Sequence, residues 1–263
     1  MTSIVIGMTP SQIAAMSNAT VATLGASDIQ ALTTQQTAAL KGTQLNALTT
    51  PALDAFSAPQ INALTSAAIA GLSAAQAGKM TATEIGELSA TQTAALSATD
   101  INQLSVASIN ALSVGGLTTT QMSGLSATTL GDLTTAQTQA LSTTQINAIS
   151  KAGFAGVKLA SLTTSQVAGM NSTALGNLGA GVASFSTTQM AALTGAATSG
   201  ISAAAIQALS ANQIGALSTS AVQGLSAAAL NAVATTTLNT ELRPSGETNN
   251  LRDSFLVASF QTV

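Results

Sequence analysis

Residues 141–148 read Leu141-Ser142-Thr143-Thr144-Gln145-Ile146-Asn147-Ala148, and the reading of this octad decides the fold. Its signature is an aliphatic residue followed three positions later by another, with five residues to the next pair. Ile13/Met16, Val21/Leu24 and Ile29/Leu32 obey it, and so do Leu45/Leu48, Leu53/Phe56, Ile61/Leu64, Ile85/Leu88 and Ile101/Leu104. Val5/Met8 is the first pair and Leu230/Val233 the last, so residues 1–233 hold about twenty-nine copies of [S/T]-x-x-Q-[I/L]-x-A-L. Thr37, Thr93 and Thr138 replace the first aliphatic residue and Ala77 weakens it. The frame slips near Gly115-Gly116, between Phe154 and Leu159, and between Leu175 and Val182. Irregular turns are expected there.

A continuous α-helix cannot carry this period. Eight residues at about 100° each advance about 800°, so the apolar pair drifts about 80° per unit and no face stays apolar. Short helices broken once per unit, or a β-solenoid, remain. Three features favour helices. Thr9-Pro10-Ser11-Gln12, Thr81-Ala82-Thr83-Glu84 and Ser142-Thr143-Thr144-Gln145 have the capping-box form, a hydroxyl followed three residues later by Gln or Glu. Pro10 falls at the first helical position and Pro51 and Pro59 at the second, where backbone N–H groups have no intrahelical partner. Asp28, Glu84 and Asp100 stand at the third position, within the positive end of the helix dipole. The predicted fold is all-α: a solenoid of very short capped helices, one per eight-residue repeat, with a β-solenoid as the alternative. Helices of one turn are unstable alone, so their stability must come from neighbouring units.

After Val233 the octad dissolves. Residues 234–250 read as a polar linker, with Glu241, Arg243, Pro244, Gly246 and Glu247. Residues 251–263 are apolar again, through Phe255, Leu256, Val257, Phe260 and Val263. Three roles are open to this segment: a cap over the last repeat, a docking segment for another subunit, or an export signal. Its hydroxylated, apolar character resembles the C-termini of type I secreted proteins.

Composition restricts the chemistry. The chain contains no His or Cys, which removes the commonest general bases, thiol nucleophiles and transition-metal ligands. Serine nucleophiles need an activating base, and Lys41, Lys79, Lys151 and Lys158 stand in no Ser-x-x-Lys pair. Glu84 and Glu87 could share a helical face, but Glu84 reads as a capping residue and Glu87 as a solvated one. The glycines at Gly115-Gly116 and Gly179-Ala180-Gly181 precede no Gly-Lys-[Ser/Thr] and mark frame slips instead. Six Lys and Arg against nine Asp and Glu give no basic surface for nucleic acid, and aromatics are 2% of the chain, so base stacking is not provided for either. No run of about eighteen apolar residues crosses a membrane as a helix. No cleavable N-terminal signal is expected. The sequence therefore predicts no catalytic site, no cofactor and no metal.

Leu162-Thr163-Thr164-Ser165-Gln166-Val167 resembles the opening of a TAL-effector repeat, but the long second helix, the base-reading loop and the basic charge of that family are missing. The Leu-[Ser/Thr]-x-x-Gln-[Ile/Val]-x-Ala octads over residues 5–233 resemble repeat tracts of large secreted, adhesin-like bacterial surface proteins. That resemblance implies an exported, structural role at a cell surface or in a matrix. The expectation is a homopolymer, assembled head to tail into an extracellular filament or sheath. Its interface would be built from Ile4, Val5, Ile6 and Met8 at one end and Phe255, Leu256, Val257, Phe260 and Val263 at the other. The alternative is a surface-binding module, an adhesin or ice-binding array, that presents ladders of Ser and Thr.

Overall fold

A computed structural model describes residues 3–241, with side chains placed for residues 3–236. Among the described residues there are 26 α-helices, three 3-10 helices and no strand, which overturns the β-solenoid alternative. All the α-helices but the last are four to seven residues long.

The octad dictates each helix locally. In the first unit Thr9 Oγ1 accepts from the Gln12 N–H at 3.2 Å, and Gln12 Oε1 accepts from the Thr9 N–H at 2.7 Å. Thr81/Glu84 and Ser142/Gln145 form the same reciprocal box. Pro10, Pro51 and Pro59 occupy first-turn positions, as their spacing predicts. In most units the helix is capped at the second aliphatic residue or within the two residues before it. Met16 leaves the helix at ψ 137°, with its N–H donating to the Ile13 carbonyl, and Ser17 continues extended at ψ 152° before capping the next helix. One helical turn and two extended residues thus make one unit, and the serine or threonine that closes the corner also opens the next helix.

Each element packs on its third neighbour along the chain, so the octads recur in sets of three. Pro10–Ala15 lies against Thr34–Ala38, and that helix against Ala58–Ala63. Asn18–Val21 lies against Gly42–Leu45, then Ser66–Ala70, then Ala90–Ala95. A third file starts from Ala26–Ala31 and Thr50–Leu53. The aliphatic pairs of all three files form one buried cluster, in which Ile13, Ile29, Ile61, Ile85 and Ile101 are fully buried.

Glutamine ties one set to the next. The Oε1 of Gln92 belongs to its own capping box, while its Nε2 donates to the carbonyls of Ile61 and Leu64, in the unit four earlier. Gln36, Gln44, Gln60, Gln76, Gln121, Gln137, Gln145, Gln166, Gln189 and Gln213 likewise each reach a pair of carbonyls four units back. Asparagine makes a second tie in the opposite direction. Asn46 donates to the Gly71 carbonyl and accepts from the Ser73 N–H, and Asn147 does the same with Gly169 and Asn171. Backbones come very close at some of these crossings. A Cβ on Gly156 would stand 1.7 Å from the Ala127 carbonyl oxygen, so only glycine fits there.

The three frame slips become the three 3-10 helices, Val114–Gly116, Leu159–Ser161 and Gly179–Ser184. All three fall in the file of Ala90–Ala95, which continues through Val114–Gly116, Thr135–Ala140, Leu159–Ser161 and Gly179–Ser184 to Ala203–Gln207. Deleted residues therefore shorten one side of a set without breaking the three-unit period. Phe154 and Phe185, beside two of the slips, are buried. The helix Ala227–Glu241 runs on past Val233 into the expected linker 234–250, because Ala234 to Thr236 bring no helix breaker, and residues 242–250 lie outside the described residues. The apolar segment 251–263 lies outside the described residues.

Candidate assembly surface

The groups that could carry chemistry are dispersed. Among the described residues no three His, Cys, Asp or Glu lie close enough to hold a metal ion. The Lys79 ammonium is 3.3 Å from Gln76 Oε1, and the Lys158 ammonium bonds the Leu133 carbonyl. Glu84 caps its helix as predicted, and Glu87 follows at the C-terminal boundary. No described helix is long and apolar enough to cross a membrane.

The first end of the described array is different in kind from its interior. Ile4 and Ile6 are 54% and 62% exposed. Asp28, the capping acid of Ala26–Ala31, holds this end in place: its carboxylate accepts from the Gly25 N–H at 3.0 Å and from the Ile4 N–H at 3.2 Å. These bonds, led by the Gly25 amide and joined by the Ser3 hydroxyl, hold the Asp28 carboxyl below its ordinary range. Gly7 takes φ +82°, a left-handed turn that returns the chain to the first helix. A shallow depression beside that turn is lined by Ile6, Met8, Pro10, Ala31 and Gln35.

Of the four residues expected to form this surface, Ile4 and Ile6 face outward and Met8 is half-buried against the core. Val5 is a correction. It is fully buried as the first aliphatic residue of its unit, and its carbonyl accepts from Gln36 Nε2. Phe255, Leu256, Val257, Phe260 and Val263 lie outside the described residues. Sequence reasoning missed Gln12. It makes the same capping box as the other glutamines, yet it is exposed, and among the described residues no bond to an earlier unit engages its amide nitrogen. The signal was available: Gln12 belongs to the second unit, so no described unit stands four before it.

The described residues define a class, an all-helical repeat protein, and leave Ile4, Ile6 and Gln12 exposed at their first end. Compared with family models, curated proteins and solved structures, the chain matches none of them.

Proposed function

We propose that this chain is a structural protein: an α-helical solenoid that associates head to tail with further copies into an extracellular filament or sheath at a bacterial surface. The observation that carries the reading is Gln12. Inside the array every glutamine at its place donates to carbonyls of an earlier unit, whereas Gln12 carries the same donor on an exposed side chain, and Ile4 and Ile6 are exposed in the unit before it. In this reading the last set of a second copy would supply the carbonyls that each set already meets within the chain. Such a contact joins unlike faces and propagates unless its rotation closes a ring. Six Lys and Arg in 263 residues put little charge repulsion in its way. The role is non-catalytic, and an exported setting fits the resemblance to secreted surface repeats. Electron microscopy and sedimentation of the full chain test this, with a variant lacking residues 251–263 as the second arm. Filaments from the full chain support the reading, and their loss on deletion assigns docking to the tail. A monodisperse monomer at high concentration defeats it.

One observation favours the surface-binding alternative. Thr119-Thr120, Thr143-Thr144, Thr164-Ser165 and Thr187-Thr188 occupy the first two helical positions of four successive helices in one file. The capping bonds there are made by Thr118, Ser142, Thr163 and Ser186, so the neighbouring hydroxyls are not explained by capping. Dispersed rods that inhibit ice growth or adhere to cells would select this reading.

A further inference from the structure

Glu84 stands where most capping boxes of the array carry glutamine. Its Oε2 serves the box, accepting from the Thr81 N–H at 2.7 Å and from the Thr81 hydroxyl at 2.9 Å. Its Oε1 is buried without a hydrogen-bond partner, in a residue only 3% exposed. In the glutamine units the corresponding outer atom is an amide nitrogen. Gln76 donates to the carbonyls 31 and 28 residues before it, and Gln92 to those at the same two separations. The same steps back from Glu84 arrive at Leu53 and Phe56. Backbone carbonyls only accept, so a carboxylate oxygen placed toward them gains nothing and suffers repulsion, whereas a carboxylic acid can donate.

We propose that Glu84 is a proton-binding joint: in the folded array it is the neutral acid, its Oε1–H donating to a carbonyl of the Leu53/Phe56 unit, and loss of that proton loosens the array there. The proton takes the place of one amide hydrogen of the glutamines, on a side chain of the same length and shape.

The surroundings agree. Burial is the largest influence on this carboxyl and pushes its pKa up, the Thr81 donors pull it down, and the Asp54 carboxylate pushes it up again. Val106–Ala111, packed on the Glu84 helix, carries no titratable residue. Glu87 follows on the same helix, Asp54 ends Thr50–Leu53, and the ammonium of Lys79 is engaged by Gln76. Asp100, at the equivalent position of its own unit, is one methylene shorter, and both of its carboxylate oxygens fall outside the buried, unpartnered set.

A folded-state pKa above the unfolded one means that the stabilisation is full below the unfolded value and is lost as pH rises through the folded value. The test is thermal melting of the wild type and Glu84→Gln from about pH 4 to about pH 8. Glu84→Gln should melt several degrees higher at the alkaline end, with the gap closing toward acid. An infrared band of a protonated carboxyl, present in the folded wild type and lost in E84Q, should accompany it. A gap independent of pH, an E84Q chain that melts lower throughout or fails to fold, or a neutral-pH stabilisation by calcium that E84Q abolishes would each overturn the proposal.

Discussion

The side-chain nitrogen of Gln92 lies 2.7 Å from the carbonyl oxygen of Ile61, 31 residues earlier, and 2.8 Å from that of Leu64. The same side chain accepts from the Ser89 N–H at 2.9 Å. One amide therefore caps the start of the helix in its own unit and holds down the corner of another. This explains why glutamine recurs where glutamate would cap equally well in isolation: only the amide has a donor left for the carbonyls.

Replacing Gln92 by Leu keeps the volume and removes both functions. Each buried polar group left unpaired costs about 1–3 kcal/mol, and the Ser89 N–H and the Leu64 carbonyl are both exposed to that loss. Chemical denaturation should show a cost in this range or somewhat above it. A loss under about 0.5 kcal/mol, the scatter of ordinary surface substitutions, would mean that the inter-unit bonds contribute little.

Two glycines should respond oppositely to the same substitution. Gly156→Ala drives a Cβ to 1.7 Å from the Ala127 carbonyl oxygen, a backbone atom that cannot swing aside. The cost should be at least the roughly 1–3 kcal/mol of ordinary overpacking. Gly215→Ala meets nothing within 4 Å and sits at the end of Ala211–Gly215 with an ordinary φ, so it should stabilise by about 0.4–1 kcal/mol. Melting temperatures of the two variants moving in the same direction would contradict the close crossing.

The contrast also marks what the sequence discloses. Capping boxes, first-turn prolines and frame slips are relations within one unit or between adjacent ones, and Thr9, Pro10 and Gln12 announce them in consecutive letters. The three-unit period is different. It follows from the turn made by two extended residues such as Met16 and Ser17, and spacing is the same whether two, three or four units complete a set. Without the period, the partner of Gln92 and the crossing over Gly156 have no address. At the first end the apolar character of Ile4 to Ile6 was plain, and the octad register that makes Val5/Met8 the first pair already set Val5 apart from its two neighbours. Val5 took the interior place and left Ile4 and Ile6 outside.

Thr93 occupies the position of the first aliphatic residue, fully buried, and its hydroxyl finds no partner. Thr37 and Thr138, at the same position in their units, return their hydroxyls to the carbonyls of Thr33 and Thr134. Thr93→Val removes an unsatisfied buried group at nearly constant shape and should stabilise by about 1 kcal/mol. Thr138→Val gives up a bond and should gain less. Equal effects of the two substitutions on the denaturation midpoint would show that the Thr93 hydroxyl is satisfied in solution.

The exposed end supplies a sharper test of assembly than any truncation. Ile4 and Ile6 present their side chains outward, and the bond from Ile4 to Asp28 is made by its backbone amide, so substituting both side chains by Lys leaves that bond in place. Exposed positions of this kind change folding stability by less than about 0.5 kcal/mol. A head-to-tail contact would bury both residues, and desolvating two unpaired ammonium groups at its centre opposes association strongly. The expected outcome for Ile4→Lys/Ile6→Lys is an unchanged melting curve with filaments abolished or their critical concentration raised at least tenfold, about 1.4 kcal/mol of contact energy. Gln12→Ala should weaken assembly less, because it removes one donor and a capping bond that contributes about 1 kcal/mol to its own helix. Filaments of the double variant that form at the wild-type concentration would place the subunit contact elsewhere on the molecule.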